Sequence, residues 1–204
     1  MDVSNDVLIG IFVISLVSIE GIVAFLSPGS FRFQKPSGGI LAWAYNIVHL
    51  FYEFTVIPFI GMMLILWPGW TLPIIRINVP ESFLLTARFA GIMFLLAGSF
   101  LQNWGRIALG RSFRLGCVTP AQDDKLVING PYRYIRNPMY TAVLCRCLGH
   151  ALIVPSIAIL FLFFCLMFLI VKMIPEEEKH LLSSYGKRYL DYMNSAKRLI
   201  PFIY

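Results

Sequence analysis

Long apolar runs separated by short polar segments limit this chain more than any other feature of its sequence. Five runs occur within 204 residues: 7–26, 40–67, 83–101, 139–154 and 156–174. About 20 apolar residues cross the hydrocarbon core of a bilayer as a helix, and a helix satisfies its backbone polar groups internally. The runs therefore predict an all-α, polytopic integral membrane protein of about five transmembrane helices, with a C-terminal helical hairpin formed by the last two.

The low charge content agrees with this prediction. Only 14% of residues are charged, against about a quarter in soluble domains. The net charge of +6 does not indicate nucleic-acid binding, because the basic residues flank the apolar runs, where anionic lipid headgroups attract them. Asp2 and Asp6 precede the first run, where a signal peptide carries basic residues, so we expect a retained helix. Pro58 interrupts the second run, and residues 1–204 are predicted to form one membrane domain.

The distribution of lysine and arginine predicts which side of the membrane each loop occupies, because cytoplasmic loops carry an excess of both. The loop after the first run has Arg32 and Lys35, the loop after the second has only Arg76, and the turn at Pro155 has none. Two further segments carry six each: Arg106, Arg111, Arg114, Lys125, Arg133 and Arg136 after the third run, and Lys172, Lys179, Lys187, Arg188, Lys197 and Arg198 towards the C-terminus. The N-terminus is therefore predicted to be outside or lumenal, with residues 102–137 and 175–204 on the cytoplasmic face.

Residues 130–140, GPYRYIRNPMY, lie where the final hairpin leaves the predicted cytoplasmic surface. Gly130 and Pro131 indicate a turn, and Pro138 disfavours helix through Asn137. Aromatic and cationic side chains alternate between them, and an aromatic face suits an adenine ring or a sulfonium cation. Tyrosine and arginine also anchor membrane surfaces, but anchoring leaves the density of turn residues and the presence of Asn137 unexplained.

Three glutamates, Glu176 to Glu178, follow the hairpin directly after Pro175. Proline fits the first turn of a helix and carboxylates favour the positive end of its dipole, so one interpretation is that these residues begin an amphipathic helix. The other is that they accept hydrogen bonds from a ligand. A hairpin returns the chain to the face that it left, so we expect Asn137 and Glu177 to be neighbours, and this favours the second interpretation.

GPYRYIRNPMY, followed after the hairpin by PEEEKHLLSSYGKRYLDYMNSAKRLIP, resembles the isoprenylcysteine carboxyl methyltransferase family. RIALGRSF, at residues 106–113, resembles the preceding segment of that family. The resemblance covers roughly residues 102–204. It implies an integral-membrane enzyme that uses S-adenosyl-L-methionine in a cytoplasmic pocket. Residues 102–204 would then be the cofactor-binding catalytic half, and residues 1–101 its helical support.

The motifs of the family imply a set of cofactor-binding residues here: Lys125, Leu126, Val127, Tyr132, Asn137, Pro138, Met139, Tyr140, Glu177 and Glu178. Arg136 and Arg146 are expected to orient or neutralise the acceptor. Two departures from the family pattern concern that acceptor. The usual histidine is Asn137 here, as in the related phospholipid N-methyltransferases. Met173 stands where some carboxyl methyltransferases have an arginine expected to meet the substrate carboxylate.

Five ionisable residues lie within the apolar runs: Glu20, His49, Glu53, Arg88 and Arg146. A charged group at mid-depth costs about 2.5 to 3.5 kcal/mol on insertion scales, so these side chains must pair or face the protein interior. Glu53 and Arg88 are one expected pair, and Arg146 is the preferred residue on the substrate side. No cluster of His, Cys and carboxylates predicts a metal site. Four cysteines lack zinc-like spacing and are expected to be free thiols: Cys117, Cys145, Cys147 and Cys165.

The residues and the resemblance together favour methyl transfer to a lipophilic acceptor, either a small molecule or a prenylated peptide, among membrane lipids and with no nucleic-acid partner. The leading acceptor is the carboxylate of a prenylated cysteine or a similar lipidic acid. Alternatives are N-methylation of a phosphatidylethanolamine-type amine, a sterol-type reductase with a nicotinamide cofactor, and a non-enzymatic scaffold or transport subunit. The expected location is the plasma or inner membrane of a prokaryote, or the endoplasmic reticulum of a eukaryote.

Overall fold

Helices make up nearly all of the regular structure in the computed structural model, which describes residues 3–27, 35–69, 77, 80–114, 118–120 and 124–200. In chain order they are α1 (Val3–Leu26), α2 (Gly39–Phe51), a π-helical turn (Tyr52–Val56), α3 (Ile57–Leu66), α4 (Glu81–Leu109), α5 (Pro138–Ile153), α6 (Ile157–Tyr185) and α7 (Lys187–Ser195). The described ranges contain no strand beyond one isolated bridge between Ile135 and Lys197, which confirms the predicted all-α class. Arg32, Arg76 and Cys117 lie outside these ranges, and the other three cysteines are free.

Four helical segments of the described chain are long and apolar enough to cross a membrane: Ser4–Leu26, Gly39–Leu66, Glu81–Ser112 and Ile157–Tyr185. The remaining long helix, α5, has 16 residues. At 1.5 Å per residue it extends about 24 Å, less than the hydrocarbon core of about 30 Å. The polytopic membrane fold is therefore confirmed, whereas the predicted count of five spans is not, because α5 is a shorter helix packed against α4 and α6.

The second helical segment is continuous, so the predicted interruption at Pro58 is wrong. The π-helical turn directly precedes α3, in which Pro58 occupies the first turn. A proline within a helix lacks an N–H, and its ring collides with the carbonyl group four residues earlier. The wider π turn gives the ring room, and the helix continues through it.

The C-terminal helices also differ from prediction, because α6 runs through Pro175 and ends only at Tyr185. The interpretation of Glu176 to Glu178 as the start of a helix is therefore wrong, since these residues lie in its interior. The chain turns at Gly186, whose φ of 54° suits glycine, and α7 begins at the next residue. At the third predicted span, α4 continues to Leu109, so residues 102–109 are helical rather than part of a loop.

Glycine allows α4 and α5 to pack closely. A Cβ atom on Gly91 would lie 2.7 Å from the backbone oxygen of Gly149, and a Cβ atom on Gly98 would lie 2.9 Å from that of Ala142. Distances this short show that the two backbones meet directly, as small residues permit between membrane helices. This packing sets the start of α5 against the C-terminal part of α4.

A buried ion pair joins the other end of these helices to α1. Arg88 Nη2 lies 2.8 Å from Asp6 Oδ1, and Arg88 Nε donates to the backbone oxygen of Ile153 at 3.3 Å. The predicted pairing of Arg88 with Glu53 is therefore wrong. Packing places Asp6, near the start of α1, beside Arg88, whereas Glu53 lies in the middle of its helical segment and pairs with Arg146.

Gly91→Ala is expected to destabilise the protein by about 1–3 kcal/mol, the usual cost of overpacking. The reason is that the new methyl group would meet the backbone of Gly149, which cannot rotate away. Thermal unfolding of the detergent-solubilised protein, followed by tryptophan fluorescence, measures the effect. Gly21→Ala is the matched control, since a Cβ atom there meets nothing within 4 Å. Equal unfolding midpoints for the two variants would contradict the close approach of α4 and α5.

Candidate functional site

A cavity lies where the C-terminal ends of α4 and α6 meet the start of α5. Its empty volume, counting the solvent at its opening, is about 1120 Å³. α2 contributes Tyr45 and His49 to its lining, and α7 contributes Tyr189 and Tyr192. The non-helical residues 124–127 complete one side. Residues from both halves of the chain therefore line the cavity.

Nine of the twelve residues predicted for the site line this cavity: Lys125, Leu126, Val127, Tyr132, Arg136, Asn137, Met139, Tyr140 and Glu177. The hairpin of α5 and α6 accounts for this, because it returns the chain to the end of α4. The remaining three, Pro138, Arg146 and Glu178, are buried behind the lining. Within the described ranges, no group of three or more His, Cys, Asp or Glu side chains is arranged to hold a metal ion.

Glu177 brings a carboxylate to the cavity from α6. The Tyr140 hydroxyl donates to its Oε2 at 2.7 Å, and no hydrogen bond from the described residues reaches Oε1. Tyr140 meets the ring of Tyr45 edge-on, with centroids 5.3 Å apart, and Tyr45 stacks on His49 at 5.2 Å. One carboxylate oxygen therefore remains available to a ligand, while packed rings hold the hydrogen-bond partner of the other in place.

Glu178, the next residue of α6, lies outside the cavity in a buried ion cluster. Its carboxylate accepts from Arg136 at 2.7 Å and from Arg198 at 2.8 Å, and only 6% of the residue is exposed. Arg136 also donates to the backbone oxygens of Met193 and Ala196. The cluster fastens residues 134–137 and the segment after α7 to α6. Glu178 therefore holds the wall of the cavity.

Three tyrosines, Tyr132, Tyr189 and Tyr192, form an aromatic side of the cavity. The Tyr192 hydroxyl donates to the backbone oxygen of Tyr132 at 2.6 Å, and the rings of Tyr189 and Tyr192 lie 5.9 Å apart. Burial, reinforced by the nearby Glu177 carboxylate and Tyr192, raises the pKa of Tyr132 well above its usual range. Its hydroxyl therefore stays protonated at neutral pH. This side of the cavity offers ring faces and hydroxyl groups rather than charge.

Arg146 lies beneath the cavity and joins four helical elements. It pairs with Glu20 of α1 at 2.7 Å and with Glu53 of the π-helical turn at 2.5 Å, and it donates to the Gln102 side chain of α4 at 3.0 Å. His49 Nε2 lies 3.3 Å from the same Glu53 oxygen. Gln102 and His49 line the cavity, so Arg146 acts on the cavity floor through these neighbours.

Sequence reasoning missed several residues that also line the cavity, among them Tyr45, Gln102 and Arg106. Gln102 and Arg106 are four residues apart on α4 and share one helix face. Polar side chains at that spacing, at the end of an apolar run, are the signal that would have identified them. Tyr45 carries no such signal, because it lies within an apolar run and reaches the cavity only through the packing of α2.

Comparison with known proteins identifies a family whose model matches part of this chain. The family model described as phospholipid methyltransferase matches residues 86–188, half of the chain. That match runs from α4 into α7. It includes every cavity residue named above except Tyr45, His49, Tyr189 and Tyr192.

Curated relatives match over slightly more than half of the chain. Protein-S-isoprenylcysteine O-methyltransferase B of Arabidopsis thaliana is 29% identical over 116 residues, which cover 55% of this chain and 58% of that protein. The protein-S-isoprenylcysteine O-methyltransferase of Schizosaccharomyces pombe is 28% identical over 112 residues, which cover 54% of this chain and 48% of that protein. The chain therefore spans about half to three fifths of the length of these relatives. These matches confirm the resemblance stated from the sequence.

One solved structure extends the comparison to the N-terminal half of the chain. The eukaryotic intramembrane Ras methyltransferase, an isoprenylcysteine carboxyl methyltransferase, superposes with a TM-score of 0.52 and 21% identity. The match covers 85% of this chain and 56% of that one. At this identity the likeness establishes a shared membrane fold, over a longer region than the family model matches.

Glu178→Gln is expected to lower the free energy of unfolding by about 3 kcal/mol, the size of effect seen when a buried ion pair loses one partner. Two arginines would lose their carboxylate. Thermal unfolding in detergent measures the loss. Glu176→Gln is the matched control, because its side chain is 44% exposed and pairs with Lys179 at the surface, where ion pairs contribute little. If both variants unfold at the wild-type temperature, the cluster does not hold the wall.

Proposed function

The chain belongs to the phospholipid methyltransferase family, and on that premise we propose that it transfers a methyl group from S-adenosylmethionine to a lipophilic acceptor at the membrane surface. One observation carries the proposal. Asn137 and Glu177, separated along the chain by the hairpin of α5 and α6, line the same cavity. That cavity lies at the ends of the membrane helices, where a water-soluble cofactor and a membrane-held acceptor can meet.

The cavity lining fits an adenosyl sulfonium ligand. Aromatic rings, among them Tyr132, provide faces for the adenine ring and attract a cationic sulfur. Glu177 keeps one oxygen for hydroxyl or ammonium donors. The Asn137 amide donates to the backbone oxygen of Arg198 at 3.1 Å, which leaves its own oxygen as an acceptor. We assign Tyr140, Met139 and the backbone of residues 125–127 to the same binding surface, with Pro138 and Glu178 supporting it from behind.

S-adenosylmethionine supplies a methyl group on a positively charged sulfur. An acceptor carboxylate would form a C–O bond to this methyl group as the C–S bond breaks, which leaves a methyl ester and a neutral thioether and releases no proton. Such a displacement depends on alignment and on exclusion of water more than on a strong base. The contribution of the protein is therefore positioning, for which Tyr140 and the network around Arg146 provide rigid surroundings.

We infer that the acceptor is the carboxylate of a prenylated cysteine or a similar lipidic acid. The relatives reported above are named as isoprenylcysteine methyltransferases. Of the arginines that line the cavity, Arg106 makes no ion pair within the described ranges, and its charge favours an anionic head group. Arg136 and Arg146 are engaged by carboxylates of the protein itself. We therefore assign Arg136 to positioning the wall and Arg146 to positioning the floor, rather than to contacting the acceptor.

N-methylation of a phosphatidylethanolamine-type amine is the second candidate. The description of the family model favours it, as does Asn137 in place of the histidine usual in carboxyl methyltransferases. A protonated amine must lose its proton before its nitrogen can attack a methyl group. This reaction therefore needs a proton acceptor, for which Glu177 and His49 are the candidates among the cavity residues.

We propose that the cavity opens on the cytoplasmic side. Exposed basic residues surround this end of the helices: Lys125, Arg133, Lys179, Lys187 and Arg188. An excess of lysine and arginine is typical of cytoplasmic segments, and S-adenosylmethionine is a water-soluble cytosolic compound. The N-terminus of α1 would then lie outside or in the lumen, in the plasma or inner membrane of a prokaryote or the endoplasmic reticulum of a eukaryote.

Glu177→Gln is expected to weaken the binding of S-adenosylmethionine about tenfold or more, because a hydrogen bond to a charged group contributes about 1.5–3 kcal/mol. Isothermal titration calorimetry of the detergent-solubilised protein measures the affinity, and Glu176→Gln is the adjacent control. Unchanged affinity in Glu177→Gln would place the cofactor elsewhere. Binding of NADPH by the wild-type protein, with no heat from S-adenosylmethionine, would favour a reductase instead.

Transfer of a labelled methyl group distinguishes the two acceptors. With the protein in nanodiscs, N-acetyl farnesylcysteine is expected to become labelled as a methyl ester, which releases labelled methanol on treatment with alkali. Phosphatidylethanolamine in the same nanodiscs is expected to remain unlabelled. Label in the phospholipid alone would assign N-methylation to this protein and exclude the carboxylate acceptor.

A further inference from the structure

Arg106 differs from the other arginines that line the cavity. Arg114 is bound to Asp124 at 3.0 Å, and Arg136 is bound to Glu178 at 2.7 Å. Within the described ranges the Arg106 side chain makes no hydrogen bond or ion pair, which sets it apart, and its Nε, like that of Arg114, is buried without a partner. A buried donor left unbonded costs about 1–3 kcal/mol. A guanidinium kept in this state beside a cavity points to a partner that the chain itself does not supply.

The surroundings of this guanidinium hold it in place. Its central carbon lies 5.0 Å from the ring centroid of Phe113, a cation–π distance. Gln102, one turn earlier on the same face of α4, is fixed by its hydrogen bond to Arg146. The guanidinium therefore lies beside the Phe113 ring, and its helical neighbour Gln102 is fixed in the cavity floor.

An oxyanion is the chemistry that such a group recognises. The guanidinium presents a planar fork of N–H donors that matches the two oxygens of a carboxylate. Its attraction for an anion is stronger in a partly buried cavity than in water, because the local dielectric constant is lower. The same charge repels an ammonium group. This site therefore favours an acidic acceptor over a protonated amine.

We propose that Arg106 is a specificity-determining residue that binds the carboxylate of the lipidic acceptor and thereby selects acids over amines. The inference rests on the proposed methyl transfer and names the group that recognises its acceptor. Methylation converts the carboxylate into a neutral ester, so the interaction with Arg106 is lost in the product. The residue that draws the acid into the cavity would then also favour release of the ester.

The test compares two ligands of nearly the same shape, one anionic and one neutral: N-acetyl farnesylcysteine and its carboxamide. The wild-type protein in nanodiscs is expected to bind the acid more tightly than the amide. Arg106→Met is expected to reduce this ratio of affinities about 10- to 100-fold, the value of a hydrogen-bonded charge pair, and to leave the affinity for the carboxamide unchanged. An unaltered ratio overturns the proposal.

Two further variants separate recognition from folding. Arg106→Lys keeps the charge without the planar fork and is expected to restore part of the ratio. Arg111→Met removes an exposed arginine that is not part of the cavity lining and is expected to leave the ratio at its wild-type value. Because Arg106 makes no ion pair within the described ranges, Arg106→Met is expected to fold and to unfold cooperatively, as Arg111→Met does. If it does not fold, an unaltered ratio in Arg106→Lys overturns the proposal.

The same variants distinguish other anions that the guanidinium could hold. Loss of S-adenosylmethionine binding in Arg106→Met, with the acid-to-amide ratio retained, would assign the guanidinium to the carboxylate of the cofactor and overturn the proposal. Loss of phosphatidylethanolamine binding alone would assign it to a phosphodiester and also overturn it. A wild-type protein that binds no S-adenosylmethionine would contradict the proposed function, while the acid-to-amide ratio would still decide the role of Arg106.

Discussion

Arg146 and its two carboxylate partners lie at a depth where no charged group is stable alone, and the arrangement of the helices depends on the ion pairs between them. A charge at mid-depth in a bilayer costs about 2.5 to 3.5 kcal/mol on insertion scales, so each group must find a partner within the protein. Glu20 reaches Arg146 from α1 and Glu53 reaches it from the π-helical turn. Breaking a buried pair by removing one partner is strongly destabilising. The network therefore holds the N-terminal helices against α5, directly beneath the cavity.

Two neighbouring glutamates near the end of α6 have different roles, because one faces the cavity and the other holds its wall. Successive helical residues point about 100° apart. Glu177 consequently reaches the cavity, while Glu178 reaches the arginines that fasten the C-terminal segment. Asn137 also holds the C-terminal segment, because its backbone N–H and its side-chain amide both donate to the backbone oxygen of Arg198. An asparagine makes both bonds and still keeps an acceptor, which gives a physical reason for asparagine at this position.

The cavity brings together groups suited to different ligands. Glu177 and the tyrosines line a space suited to a cationic nucleoside, whereas Arg106 has no anionic partner in the described part of the chain. Methyl transfer between a sulfonium and a carboxylate removes both charges. Such a transfer needs no strong base, because a carboxylate is already ionised when it attacks the methyl group. In this view, the arginines already engaged by carboxylates give the cavity its shape, and the free guanidinium determines what enters it.

The membrane fold was predictable because it depends on local pattern, whereas the family resemblance implied much of the cavity lining. Apolar runs long enough to span hydrocarbon must be helices there, and a hairpin must bring residues 130–140 and 176–178 to the same face. The course of individual helices was less predictable. A proline in a helical run predicts that a helix breaks or begins there. The π-helical turn nevertheless allows the helix to continue past Pro58, and α6 continues through Pro175.

Only the tertiary structure determines which ionisable residues within the membrane helices form ion pairs with each other. The sequence shows that Glu20, Glu53, Arg88 and Arg146 each require a partner, because hydrocarbon cannot solvate them, but not which residue meets which. That depends on the depth and rotation of each helix, which close glycine contacts such as Gly91 with Gly149 set. The requirement of a charged side chain for a partner in hydrocarbon is a property of the single residue, so the sequence shows it. Which partner the side chain meets is decided only when the helices pack.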